Sequence, residues 1–208
     1  DGSGDLTHLR GALGTTNQLA ADVQRKLGEG GAHSLRLVAN VADGTHWSIG
    51  EGRKAWQASA SWHWAITPQL SHLLAIEQQS ERVRQPYWGT PLLRDSANAI
   101  LGQIRTDPGT IGVNYNVRDG RYEQDINWTR SVLKWTPSEK LAFTHTAYTY
   151  DALRDYDNVE TYSFVNNNTQ VERSAALLQR HDQQVFGSRG ELSVKGSLGG
   201  LKSDSAFG

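Results

Sequence analysis

Among the 208 residues, the groups best suited to chemistry are seven histidines and a set of arginines interleaved with aromatic rings. The histidines do not converge. His63 and His72 straddle one turn, and residue-by-residue alternation points the first inward and the second outward. His8, His33, His46, His145 and His181 are scattered, with no H-x-x-x-H spacing, so no protein-ligated metal is expected. No G-x-G-x-x-G follows a strand and opens a helix, no P-loop is present, and no G-x-S-x-G elbow presents a serine, so catalytic residues and enzymatic activity are not expected. The arginines are more suggestive. Arg82, Arg84, Arg94, Arg105 and Arg118 flank or lie within one long polar stretch, and Trp47, Tyr87, Trp88 and Tyr115 fall in loops or at their junctions with strands. A guanidinium binds planar oxygen groups in bidentate fashion and stacks on rings. Trp47, Arg84, Tyr87, Trp88, Tyr115 and Arg118 are therefore the candidate ligand contacts for an anionic or strongly polar ligand, on loops carried by a rigid scaffold. The same residues also suit loops that only pack together or a solvated loop surface.

Composition narrows the scaffold that could carry them. The net charge of −1 gives no support for a nucleic-acid partner. The absence of cysteine excludes disulfides and thiolate metal sites. Hydrophobic residues make up 37%, mean hydropathy is −0.58, and no run of 18 apolar residues occurs. A transmembrane helix is thereby excluded, but a transmembrane β-barrel is not, since its strands alternate and average out to polar. Seven Trp and seven Tyr outnumber four Phe, which suits boundaries where one edge of the ring is wet. With no methionine and no signal peptide, the sequence reads as a mature or internal piece.

The period is two almost throughout. A short strand covers residues 6–12. Over residues 18–27, Leu19, Ala21 and Val23 share a face opposite Ala20, Asp22, Gln24 and Lys26. Over 34–42, Leu35, Leu37, Ala39 and Val41 oppose Arg36, Val38 and Asn40. Over 54–65, Trp56, Ala58, Ala60, Trp62 and Trp64 oppose Gln57, Ser59, Ser61 and His63. Residues 70–81 and 185–198 follow the same rhythm, and a last strand begins at Ser203. Short turns are expected at 28–33, 66–69, 136–140 and 199–202. Segments facing outside are expected near Thr16, where Gly14-Thr15-Thr16-Asn17 is a turn, and at 43–53, 82–117 and 152–183, the last a long loop able to turn a hairpin of its own at Asn166-Asn167-Asn168. Short turns and long segments alternate strictly, as an up-and-down meander requires. A long loop is uncommon in a compact soluble domain but ordinary on the outside of a barrel. Trp56, Trp62, Trp64 and Trp135 read as girdle residues at lipid–water boundaries. One strand resists assignment. Over 122–135 the even face holds Ile126, Trp128 and Val132 but also Arg130, which calls for a bulge or for an arginine that snorkels to an interface. The fold class is thus all-β: a partial antiparallel up-and-down transmembrane β-barrel of about nine strands.

The central hairpin is RDGRYEQDINWTRSVLKWTPSEKLAFTHTAYTYD, residues 118–151. The runs IGVNYNVRDGRYEQDINW, LKWTPSEKLAFTHTAYTYDALRDYDNVETYSF and RHDQQVFGSRGELSV resemble the barrel of TonB-dependent siderophore receptors of the Gram-negative outer membrane. The resemblance extends over nearly the whole sequence. It implies that residues 1–208 are part of a 22-stranded barrel, with Asp1 at the first barrel strand and the last residues less than halfway round. It implies a bacterial outer-membrane protein that imports a ferric siderophore, with iron carried as the chelate and no cofactor of its own. It implies a monomer embedded in outer-membrane lipid, with a plug domain and an N-terminal segment that engages the TonB complex, neither of which this sequence includes. A passive porin-like channel, or a soluble β-rich adhesin built of two stacked sheets, is the alternative.

Overall fold

The computed structural model describes residues 5–95 and 105–208. Nine strands form one antiparallel sheet in which each pairs with its sequence neighbours: β1 (Leu6–Ala12), β2 (Thr16–Leu27), β3 (His33–Thr45), β4 (Gly52–Thr67), β5 (Leu70–Arg84), β6 (Arg121–Ser138), β7 (Leu141–Val165), β8 (Gln170–Leu198) and β9 (Leu201–Phe207). Among the described residues there is no second sheet stacked on the first, so the two-sheet adhesin alternative fails. Among the described residues β1 and β9 are each bonded on one side only.

Register shows which residues share a face, because side chains of paired residues project to the same side of a sheet. One face carries Leu19, Leu37, Val41, Trp56, Ile76, Leu133, Trp135, Phe186 and Leu192, all exposed. The opposite face is polar and internally bonded. Arg36 grips Asp22 with two hydrogen bonds of 3.0 and 2.7 Å. Asn40 donates to Gln57 at 3.1 Å, and Gln57 donates to Glu77 at 2.8 Å. Apart from Pro86 and Pro91 in the long loop, the buried apolar side chains among the described residues are Tyr156, Val159 and Phe164, all toward the far end of β7. A soluble domain would need a larger core than that. The apolar face must therefore meet lipid, and the polar face lines the lumen.

On β4 the outward tryptophans Trp56 and Trp64 lie eight residues apart, about 26 Å along the strand, which at the usual barrel-strand tilt of about 35–45° is roughly 20 Å of height, most of the roughly 25 Å lipid-facing band. At the short-turn end, Trp62 and Trp64 stack at 5.8 Å with planes 8° apart, and Trp62 Nε1 donates to His33 Nδ1 at 3.2 Å. The short turns are as expected. Gly199-Gly200 has φ of +59° and +84° at both central positions, the backbone that a two-residue hairpin with right-handed strand twist requires.

Two expectations are corrected. First, residues 152–183 are not a loop: β7 continues to Val165 and β8 returns from Gln170, joined by a tight turn in which Asn166, Asn167 and Asn168 all have positive φ. The anticipated hairpin is thus the tip of a strand pair that projects far beyond the bilayer. Second, β6 has no bulge at Arg130. Its register with β5 runs without a break from Arg121 to Trp135, so Ile126, Trp128, Arg130 and Val132 share the face of Gln57 and Glu77. The lumen, not lipid, receives them. Trp128 stacks there on Tyr148 at 5.5 Å and 6°. Tyr148 in turn lies across Gly187, where a Cβ would stand 2.2 Å from the ring. The outer face of β6–β8 is accordingly more polar than that of β2–β5. Its side chains satisfy each other: His72 Nε2 and Ser131 Oγ are 2.8 Å apart, and His145 Nε2 and Ser188 Oγ are 3.0 Å apart. His63 and His72 lie on opposite faces.

Leu37 pairs with Ala60, midway between Trp56 and Trp64, so Leu37→Arg is expected to destabilise the inserted barrel by about 2–4 kcal/mol. Arg130→Leu, in the lumen, should shift stability by no more than about 0.5 kcal/mol. Denaturant unfolding in lipid vesicles measures both, and the reverse ranking would overturn the face assignment.

Candidate functional site

The long-loop end of the sheet carries the candidate ligand contacts. Residues 85–120 leave β5 and return to β6, with residues 96–104 outside the described set. The loop is stitched to the projecting part of β7 by one buried asparagine. Asn116 Nδ2 donates to the Pro86 carbonyl at 2.8 Å and to Asn158 Oδ1, and Asn116 Oδ1 accepts from the backbone N–H of Val117 at 2.8 Å and Val159 at 3.0 Å. Asn158, itself 1% exposed, donates to the Tyr156 hydroxyl at 2.5 Å, which donates to Glu160 at 2.5 Å. Near the loop's middle, Arg94 and Asn168 exchange backbone and side-chain hydrogen bonds of 2.9 and 2.8 Å, so the tip of the β7–β8 hairpin also holds it. The shorter loop at 46–51 joins in: the Ile49 N–H donates to the Gly112 carbonyl at 2.8 Å, and Glu51 accepts from the Tyr87 N–H at 3.2 Å.

These ties assemble an aromatic surface. Trp47 meets Tyr87 edge-on at 4.8 Å, Trp88 meets Tyr156 at 6.2 Å, Tyr122 meets Tyr156 at 6.0 Å, and Tyr115 meets Tyr162 at 5.9 Å. Trp47 and Trp88 remain 64% and 48% exposed, which leaves ring surface for a ligand. The Tyr115 hydroxyl is pushed above its usual pKa by burial first and then by Asp107 and Tyr87, so it stays a neutral hydrogen-bond donor. Tyr122 and Tyr156 lie on the lumen face of their strands, since Tyr122 pairs with Tyr156 in the register that holds Trp128. The aromatic surface thus overhangs the lumen.

Four of the six predicted contacts, Trp47, Tyr87, Trp88 and Tyr115, belong to this loop assembly. Arg84 and Arg118 do not join them. They line a separate cleft with Lys54, Arg82 and Arg121. Tyr122, Tyr156 and Tyr162 were not anticipated, because Tyr156 and Tyr162 fell in a stretch read as loop and Tyr122 was read only as the start of a strand. No cluster of three or more His, Cys, Asp or Glu side chains suited to a metal occurs among the described residues.

No family model matches the sequence, and no curated protein matches it. Solved structures do match in shape. The siderophore receptor PiuA from Acinetobacter baumannii superposes with a TM-score of 0.76 at 18% identity, over 96% of this chain and 29% of that one. The ferric-catecholate import receptor Fiu from E. coli K12, in its open form, gives 0.74 at 10% identity over 92% and 31%. The pyoverdine outer-membrane receptor FpvA from Pseudomonas aeruginosa, bound to pyoverdine, gives 0.73 at 14% identity over 97% and 29%. The fold is that of a siderophore-receptor barrel wall. The chain spans less than a third of the length of each of these receptors. In such a wall the 85–120 loop and the β7–β8 projection stand at the end opposite the short turns.

Asn116→Leu would leave the Pro86 carbonyl, Asn158 Oδ1 and the Val159 N–H without their partner, at about 1–3 kcal/mol for each group left unsatisfied. The expected result is cleavage within residues 85–120 at far lower protease concentration, with the strands below still protected. Unchanged cleavage would show that the loop is held by other contacts.

Proposed function

We propose that residues 1–208 form part of the barrel wall of a Gram-negative outer-membrane receptor that imports a ferric siderophore and is energised through TonB. The observation that carries this reading is a single-layer wall, greasy outside and hydrogen-bonded inside, whose loops at 46–51 and 85–120 together spread exposed aromatic rings over the lumen side. The similarity in shape to receptors named for iron chelates supports it. Trp47, Tyr87, Trp88 and Tyr115 are the proposed contacts to the chelate: flat rings offer stacking area at low entropic cost, and the Tyr115 hydroxyl offers a donor to its oxygens. Iron enters as part of the chelate, not as a metal bound by side chains. A plug domain closes the lumen, and a segment outside residues 1–208 engages TonB.

A strain deleted for the protein and starved of iron should lose growth on at least one member of a siderophore panel. Response to every member as in the parent strain would remove the import reading. Uptake of the cognate chelate should vanish in cells lacking TonB; uptake that persists there would fit a passive channel instead. Trp47→Ala combined with Tyr87→Ala should weaken binding of that chelate at least tenfold, about 1.4 kcal/mol, in a fluorescence titration of the purified protein.

A further inference from the structure

On the membrane side of the wall, beyond the upper tryptophan, lies a cleft of about 470 Å³. Leaving aside Arg53, which faces the lumen and pairs with Glu81 at 2.5 Å, its lining carries the cations Lys54, Arg82, Arg84, Arg118 and Arg121 against the carboxylates Asp43, Asp119 and Glu123. It opens on the outer face, because Lys54, Arg82, Arg84 and Arg121 occupy the register positions that continue the rows of Trp56 and Ile76. Lys54 is two residues past Trp56, about 7 Å further along the strand. Tryptophans of a barrel mark the edge of the hydrocarbon, so this cleft sits at headgroup depth.

Most of its cations are already committed. Arg82 pairs with Asp125 at 2.6 Å and Glu123 at 3.6 Å, Arg121 with Asp157 at 3.1 Å and Asp155 at 3.3 Å, and Lys54 with Asp43 at 3.6 Å. Arg84 and Arg118 are not. Arg84 Nε donates only to the Gly50 carbonyl, at 3.3 Å, and neither arginine has a carboxylate within ion-pair distance among the described residues, although Asp119 shares the cleft. Both are exposed. A dissolved anion entering the lumen would reach Trp88 and Tyr156, on the far side of the wall, and would not meet this pair. A membrane lipid at the outer face would. Guanidinium groups form two parallel hydrogen bonds to a phosphate, and the neighbouring ion-paired side chains hold the walls of the cleft in place.

We infer that this cleft binds the phosphate of an anionic outer-leaflet lipid, with Arg84 and Arg118 as its direct contacts. The inference rests on the barrel reading above. The test compares the complete protein with its Arg84→Gln/Arg118→Gln variant, each inserted into vesicles of phosphatidylglycerol and phosphatidylcholine, extracted in mild detergent, and weighed by native mass spectrometry for retained lipid. The variant should keep at least tenfold less phosphatidylglycerol, with phosphatidylcholine retention and heat-modifiable gel migration unchanged. Equal retention of phosphatidylglycerol by both proteins overturns the site. Displacement of the lipid by inorganic phosphate at equal concentration also overturns it, because the cleft would then serve a dissolved anion. Loss of chelate binding in the variant with lipid retention intact overturns it too, by assigning the pair to the imported ligand. Failure of the unsubstituted protein to insert would sink the barrel reading and this site with it, and shows separately as the absence of heat-modifiable migration.

Discussion

Within hydrocarbon there is no water to accept or donate a hydrogen bond, so every backbone N–H and C=O must be paired inside the protein. A sheet in which each strand bonds its two sequence neighbours meets this demand with the simplest connections, and β2–β8 do so here. Once the backbone is fixed in that way, the side chains have only two directions to point. Lipid takes one and the lumen the other. Leu37, Val41, Trp56 and Ile76 are exposed because their solvent is hydrocarbon, and on the reverse Arg36 pairs with Asp22 and Gln57 with Glu77 because theirs is not.

The same sheet serves a second purpose beyond the bilayer. β7 and β8 run on for many residues past the membrane edge, to Val165 and from Gln170. They offer the loop at 85–120 something rigid to lean on, and Asn116 and Asn158 fasten the two together. A long loop left to itself has too few buried contacts to hold one shape. With that fastening, the rings of Trp47, Tyr87, Trp88 and Tyr115 are fixed as a surface above the lumen, while the arginines at the strand ends are turned to the membrane side.

How far the sequence could be read depended on where each residue sits relative to the lipid. β2, β3 and β4 cross it with one face largely apolar, so their alternation was plain and their faces were legible. Residues 152–183 lie above it, where neither face meets hydrocarbon. Alternation is lost there, and a strand such as Leu141–Val165 looks polar on both sides past Asp151. β6 failed for another reason. A lumen tolerates aromatic rings, so Ile126, Trp128 and Val132 imitated a lipid face, while His72, Ser131, His145 and Ser188 on the true outer face disguised it by bonding to each other.

By itself the sequence determined the number of strands, the positions of the short turns and the aromatic boundaries, because each is written in residues close together along the chain. It named the loop aromatics as candidate contacts for the same reason. Only the tertiary structure decided which way β6 faces, that the second long segment is a projecting hairpin, and that Arg84 and Arg118 part company with Tyr87 and Trp88. Those outcomes hang on pairing between strands: a shift of one residue in register moves every side chain to the opposite face, and nothing within a single strand records which neighbour it will meet.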